Sequence, residues 1–189
     1  MSAASRPHVL GIDDGPFDKG QSERVPIVGV MMEGGDLCEV VALTEFAVDG
    51  EGATHFLTSW IESLRLRPTL QAIVLGGITI AGLGIVEIGP LSDALGVPVV
   101  VVTRRDPTNH RLLEALAAAG LSHRRPLVER TPSAFRAAPG LWVAHAGIDP
   151  EGARQLIRAT LRKSTLPEPL RLAHLIASAL VRGESHGRP

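Results

Sequence analysis

The chain predicts an α/β fold: a mixed sheet, begun by a three-stranded antiparallel meander, continued by parallel strands and flanked by helices. Three observations carry this expectation. Residues 8–12, 25–32 and 37–48 are β-rich apolar runs separated by turn chemistry. From Thr54 the apolar spacing switches to the helical period. Short apolar runs at 71–75 and 97–103 then alternate with helical segments, the pattern of parallel strands covered on both faces.

Taken in order, His8–Ile12 runs into Asp13-Asp14-Gly15-Pro16, so two acids stand where the first strand gives way to a Gly-Pro turn. Residues 19–24 are polar and read as a loop. The run 25–32 is followed by Glu33-Gly34-Gly35-Asp36, a hairpin turn, and 37–48 returns as the third strand. Gly50-Glu51-Gly52 breaks the β pattern. Phe56, Leu57, Trp60, Ile61 and Leu64 then fall on one helical face, and Pro68 ends the segment. After the strand at 71–75 come Gly76-Gly77 and an apolar, glycine-spaced stretch to Gly89. A short helix at 91–95 closes at Gly96, and Val97–Thr103 is a β-branched run. The next helix spans 107–119, with Pro107 in its first turn and Gly120 just past its end. Residues 123–139, rich in Pro and Arg, are the least regular. A strand at 141–146 and helices at 150–162 and 167–182 complete the chain. Thr165 and Glu168 have the spacing of a capping box for the last helix. No internal repeat or linker is evident, so residues 1–189 read as one domain. The order β-β-β-α-β-α-β-α is that of ribonuclease H-like folds.

Composition narrows the class further. Hydrophobic residues are 44% and charged residues 21%, which suits a packed globular core and not a disordered chain. Aromatics are 3%, so that core is built from Val, Leu, Ile and Ala. A net charge of −1 neither requires nor excludes a polyanionic partner, because a basic patch can sit on a neutral protein. Cys38 is the only cysteine, which rules out an internal disulfide and any multi-thiolate zinc site. The N-terminal residues lack a signal-peptide run, and the longest apolar helix candidate, 172–181, is too short to span a bilayer. A cytoplasmic protein without a membrane partner is expected. No Gly-Lys-Ser/Thr follows the glycines of 76–89, which excludes a P-loop.

Four segments carry a resemblance. They are Leu10-Gly11-Ile12-Asp13-Asp14-Gly15-Pro16-Phe17, Gly77-Ile78-Thr79-Ile80-Ala81-Gly82, Ala146-Gly147-Ile148-Asp149-Pro150-Glu151, and the tail from Leu166-Pro167-Glu168-Pro169-Leu170-Arg171-Leu172-Ala173-His174 to Arg182-Gly183-Glu184-Ser185-His186-Gly187-Arg188. Together they resemble the DUF99 (UPF0215) family, also called endonuclease dU, a relative of endonuclease V with a ribonuclease H-like fold. The resemblance implies metal-dependent phosphodiester cleavage in DNA near a deaminated base, deoxyuridine in particular. It implies Mg²⁺ or Mn²⁺ as cofactor and DNA, or RNA, as partner.

Such chemistry needs several acids converging on one point, because hard Mg²⁺ takes carboxylate oxygens. By the resemblance Asp13 is the first-strand metal ligand, with Asp14 beside it, and His174 is a ligand or proton shuttle on the last helix. Residue types alone leave a turn-forming Asx pair open at Asp13-Asp14 and a solvated histidine open at His174. Arg171, His174 and Ser178 share one helical stripe. Arg104, Arg105, Arg171 and Arg182 are candidate phosphate contacts, as is the 123–125 cluster, against the alternative of ordinary solvated charge. Two positions depart from the family pattern. The fourth strand of the family ends Leu-Asp-Gly-Ile-Thr, whereas this chain reads Leu75-Gly76-Gly77-Ile78-Thr79. A family Glu near the first helix falls on His55, and Asp49, Glu51 and Glu87 are the nearby acids that could substitute. The resemblance therefore supports either a working endonuclease or a degenerate relative that keeps a nucleic-acid surface.

Overall fold

The computed structural model describes residues 6–18, 20–104 and 109–185. Three strands, β1 (His8–Asp14), β2 (Arg24–Glu33) and β3 (Leu37–Ala47), form the antiparallel meander. Helix α1 (Ala53–Ser63) and a 3₁₀ turn (Arg67–Thr69) lead to β4 (Ala72–Leu75), which pairs in parallel with β1. A two-stranded hairpin follows, β5 (Thr79–Ile80) and β6 (Gly84–Ile85), and then α2 (Ile88–Leu95). Strand β7 (Val99–Thr103) lies parallel to β4. Helices α3 (His110–Ala118) and α4 (Arg125–Glu129) precede a second hairpin, β8 (Phe135–Ala138) and β9 (Leu141–Ala146). Helices α5 (Pro150–Thr160) and α6 (Glu168–Arg182) finish the chain. The seven-stranded sheet runs β3-β2-β1-β4-β7-β9-β8.

Side-chain alternation along β1 sorts the core into two layers. Leu10 and Ile12 face α1 and α2 and pack with Leu57, Ile61, Leu75 and Leu91. Val9 faces the other way, with Val74, Val100, Leu156 and Leu170. Helix α6 continues that second layer over β2, where Ala173 and Ala177 meet Val28 and Val30. The approach of α6 to β1 is set at Gly11. A Cβ built there would overlap the backbone of Pro169 and Leu170, with Pro169 O only 2.5 Å away. Any side chain at Gly11 would lift the first turn of α6 off the sheet.

The structure departs from, or adds to, the sequence expectation in several places. The parallel run stops at β7, because β9 is antiparallel to it. Strand β8 was hidden in the irregular stretch; it pairs with β9 through a turn in which Gly140 takes φ 71°. The capping box at Thr165 does not form: Pro167 is the N-cap of α6, without a side-chain cap. Glu168 is instead drawn one turn forward to Arg171, 2.7 Å from its Nη2. Prolines at 167 and 169 lack N–H groups, so fewer orphan donors need a cap there. Helix α3 begins at His110, and the expected start at Pro107 lies outside the described residues.

Candidate functional site

The parallel pairing of β1 with β4 builds the site. The register sets Ile12 beside Leu75, so the next residues along, Asp13 and Gly76, emerge side by side at the ends of two neighbouring strands. Asp13 shares the α6 face of the sheet with Val9 and Gly11. The close seating of α6 on Gly11 brings His174, one turn further along, down onto Asp13. Nδ1 of His174 lies 2.7 Å from Asp13 Oδ2, with both side chains partly exposed, at 40% and 22%. Ser178 and Arg182 follow at one-turn steps on the same stripe of α6. With Asp13, Asp14, His174 and Phe17 they line an open cleft of about 430 Å³.

The hydrogen bond that His174 donates to Asp13 is the leading cause that raises the His174 pKa above its ordinary value; partial burial and the charge of Arg104 oppose it. The imidazolium form is therefore favoured. Because the folded pKa is the higher one, the stabilisation from this pair is full below the ordinary histidine pKa and is lost as pH rises through the raised value. An NMR titration of His174 is expected to show the raised pKa, and Asp13→Asn is expected to lower it.

Asp14 does different work. It follows Leu10 and Ile12 in the alternation of β1 and lines the edge of the cleft at the strand's end, and its Oδ2 accepts the N–H of Ala81 at 2.8 Å. Ala81, at φ 47°, is the tip of the β5–β6 hairpin. Asp49 holds the same tip from the other side. Its N–H donates to Ala81 O at 2.9 Å, and its Oδ1 accepts the Leu83 N–H at 2.7 Å. Burial first, and then the neighbouring charge of Asp13, push the Asp14 pKa up to about 6 from 3.8. A raised carboxyl contributes stability below pH 3.8 that is lost as pH climbs through about 6. Asp14→Asn keeps an acceptor for Ala81 and removes the buried charge. It is expected to stabilise the fold at pH 7–8 by about 1–2 kcal/mol and to flatten the pH dependence between about 4 and 6, read by chemical denaturation.

The other candidate residues separate clearly. Gly76 adjoins Asp13: a Cβ there would lie 3.7 Å from Asp13 Oδ1 and 3.8 Å from Leu170 Cδ1, both ordinary contacts. His55 is exposed on α1 and is not among the residues lining the cleft. Arg104 is exposed close enough for its charge to act on His174. Arg105 lies outside the described residues. Arg171 is paired with Glu168, a buried carboxylate. Arg124 is no surface contact: it is buried and donates to Leu83 O at 2.8 Å. His123 and Arg125 pair with Glu51 and Glu129. The three acids that could substitute are engaged elsewhere: Asp49 with the hairpin tip, Glu51 with His123 and Arg124, and Glu87 with Arg130.

This donor set does not fit a Mg²⁺ pair. The cleft offers the Asp13 carboxylate and the His174 imidazole, which are paired with each other, and the Asp14 carboxylate at its edge is committed to the Ala81 N–H. Among the described residues no group of three or more His, Cys, Asp or Glu is placed to hold a metal ion. Nor is any described helix long and apolar enough to cross a membrane.

The architecture is a ribonuclease H-like fold. Endonuclease V of Ciona intestinalis, solved with a 24mer DNA containing an inosine followed by a ribo-adenosine, superposes with a TM-score of 0.62 at 13% identity, over 97% of this chain and 89% of that one. Endonuclease V of Streptomyces avermitilis gives 0.61 at 17% identity, over 96% and 87%. A protein of unknown function from Archaeoglobus fulgidus gives 0.86 at 34% identity, over 94% and 100%. In sequence, the UPF0215 protein of Methanothermobacter thermautotrophicus is 37% identical over 183 residues, covering 95% of this chain and 90% of the relative. The UPF0215 protein of Pyrococcus furiosus is 36% identical over 181 residues, covering 94% and 93%. The profile of the endonuclease dU family matches residues 5–181. The chain belongs to the endonuclease dU family.

Proposed function

We propose that this protein engages DNA at deaminated bases, deoxyuridine foremost, through the Asp13–His174 cleft, and that its phosphodiester cleavage is impaired. Family membership supports the substrate class. The placement of Gly76 beside Asp13 carries the impairment. In this architecture a carboxylate at that position would share its face with Asp13 and bridge a metal with it; a hydrogen atom cannot. The residues that remain suit binding. Arg182 and Arg104 offer positive charge to a phosphate, Ser178 lines the same cleft, and His174, when protonated, adds a further cation beside Asp13.

A second reading, a slow but working nuclease, rests on the retained Asp13–His174 pair. There His174 would hand a proton to the leaving oxygen while Asp13 fixes its ring. The two readings part in one assay. Labelled oligonucleotides carrying deoxyuridine, deoxyinosine or no lesion are incubated with Mg²⁺ or Mn²⁺, beside an Asp13→Ala control. Lesion-selective binding without Asp13-dependent cleavage is expected. Cleavage that disappears in Asp13→Ala would establish the working nuclease, and equal binding to all three oligonucleotides would overturn the proposed substrate class.

A further inference from the structure

We infer a homodimer interface built from the flank of α6 turned away from the cleft and the strip of β3 beside it, with a second copy of this chain as the occupant. The polar residues of α6 are Glu168, Arg171, His174, Ser178 and Arg182. Glu168 is buried, and His174, Ser178 and Arg182 line the cleft. Every other residue of the helix is apolar. The sheet covers only part of that surface. Ala173 and Ala177 are fully buried against β2, whereas Leu172 and Ile176 are only partly buried and Leu180 is 52% exposed. A helix that is apolar well beyond its sheet-facing stripe is one that something else covers. Helix α5, in the same layer, is the internal comparison: it turns Glu151, Gln155 and Arg158 to solvent.

The apolar strip continues onto the sheet. Val28 and Val30 lie beneath α6, and their partners on β3 are Leu43 and Val41. Residues opposite each other in a ladder share a face, so Leu43 and Val41 stand beside the helix, 55% and 46% exposed. Strand β3 is the edge of the sheet, and no described element covers these two side chains. The result is a ridge of Leu172, Ile176 and Leu180 next to a flat shelf of Val41 and Leu43, with no charge on either. Single exposed apolar residues are ordinary, but a contiguous strip marks an interaction surface. The shelf ends at Glu45, whose charge Arg24 meets at 3.5 Å, so a docking body buries no unpaired charge there.

Ridge and shelf complement each other, and they lie side by side on one face. A two-fold axis running along the strands, between two copies, lays the ridge of each on the shelf of the other. Such a contact is isologous and closes at two copies. An anionic membrane would be met by unpaired cations around the strip, and the cation at its end, Arg24, is paired. The cleft lies on the opposite flank of α6, so both clefts stay open in the dimer.

The test is sedimentation velocity of the full chain at micromolar concentrations, in wild type, Leu43→Lys, Leu180→Lys and Leu37→Lys. All three side chains are about half exposed, and thermal melts confirm that the variants fold. Wild type is expected at twice 20.0 kDa. Leu43→Lys and Leu180→Lys are each expected to weaken the dimer about 100-fold, because every dimer would bury the unpaired charge twice. Leu37 is also on β3, but it pairs with Glu33 on the other face of the sheet, so Leu37→Lys is expected to leave the dimer intact. The His174 titration should be unchanged in Leu43→Lys, which shows that α6 stays seated. A wild type that sediments at 20.0 kDa throughout would overturn the interface, and flotation of that monomer with phosphatidylcholine vesicles would give the face to a membrane. A dimer that survives either Leu43→Lys or Leu180→Lys would sink the seating of ridge on shelf. Dissociation by Leu37→Lys would replace it with edge-to-edge pairing of β3.

Discussion

Gly76→Asp is expected to create a divalent-metal site and raise Mg²⁺- or Mn²⁺-dependent cleavage of deoxyuridine DNA on the order of 10²-fold, the equivalent of about 3 kcal/mol of transition-state stabilisation. The geometry permits it. The nearest atoms to the added Cβ are Asp13 Oδ1 at 3.7 Å and the Leu170 methyls at 3.8 and 4.0 Å, all ordinary contacts, and the backbone at Gly76 is not in the left-handed region. The new carboxylate would share the α6 face with Asp13, close enough to chelate one ion with it. Without metal the two like charges repel. The variant should therefore melt at a higher temperature with Mg²⁺ than without it, whereas wild type should respond little. Gly76→Asn, with the same shape and no charge, separates the carboxylate from its bulk. A Gly76→Asp variant that neither binds metal nor cleaves would show that the defect lies elsewhere, with His55 the next position to change.

Gly11→Ala is expected to be the most damaging small substitution in the chain. A single methyl group there collides with backbone atoms of Pro169 and Leu170, which cannot rotate away as a side chain can. The relief is a displacement of α6, which loses packing between Ala173, Ala177 and the β2 valines. A loss of about 3 kcal/mol is expected, at the upper end of overpacking effects, read as a lowered denaturation midpoint. The same displacement carries His174 away from Asp13, so the raised pKa of His174 should relax towards its ordinary value in the variant that still folds. A midpoint unchanged from wild type would show that α6 is not fixed by this contact.

The two largest effects fall at glycines, and glycines are where the sequence was hardest to read. The meander, β4, β7 and the helices were legible because apolar runs and periodicity report burial directly. Strand β8 was not: its exposed Arg136 and Ala138 alternate with half-buried Phe135 and Ala137 in a Pro- and Arg-rich stretch, so only the pairing with β9 defines it. The β5–β6 hairpin has two residues per strand and is held by side chains of Asp14 and Asp49 that are remote in sequence. No local pattern encodes that. The Asp13–His174 pair was suggested only through family resemblance, since residues 161 positions apart carry no spacing signal. The separate tasks of Arg104 and Arg171 were invisible for the same reason: a cation shows its partner only after folding.

The different partners of Asp13 and Asp14, His174 for one and the Ala81 N–H for the other, have a practical consequence for genetics. Adjacent identical letters in a motif invite the assumption that they fail alike. Here a library screened for yield and a library screened for DNA engagement would disagree about them. Loss of the first acid would leave a well-expressed protein with a silent cleft. Alanine at the second would surface as a poor expresser, its loop 79–85 unmoored, whatever its chemistry.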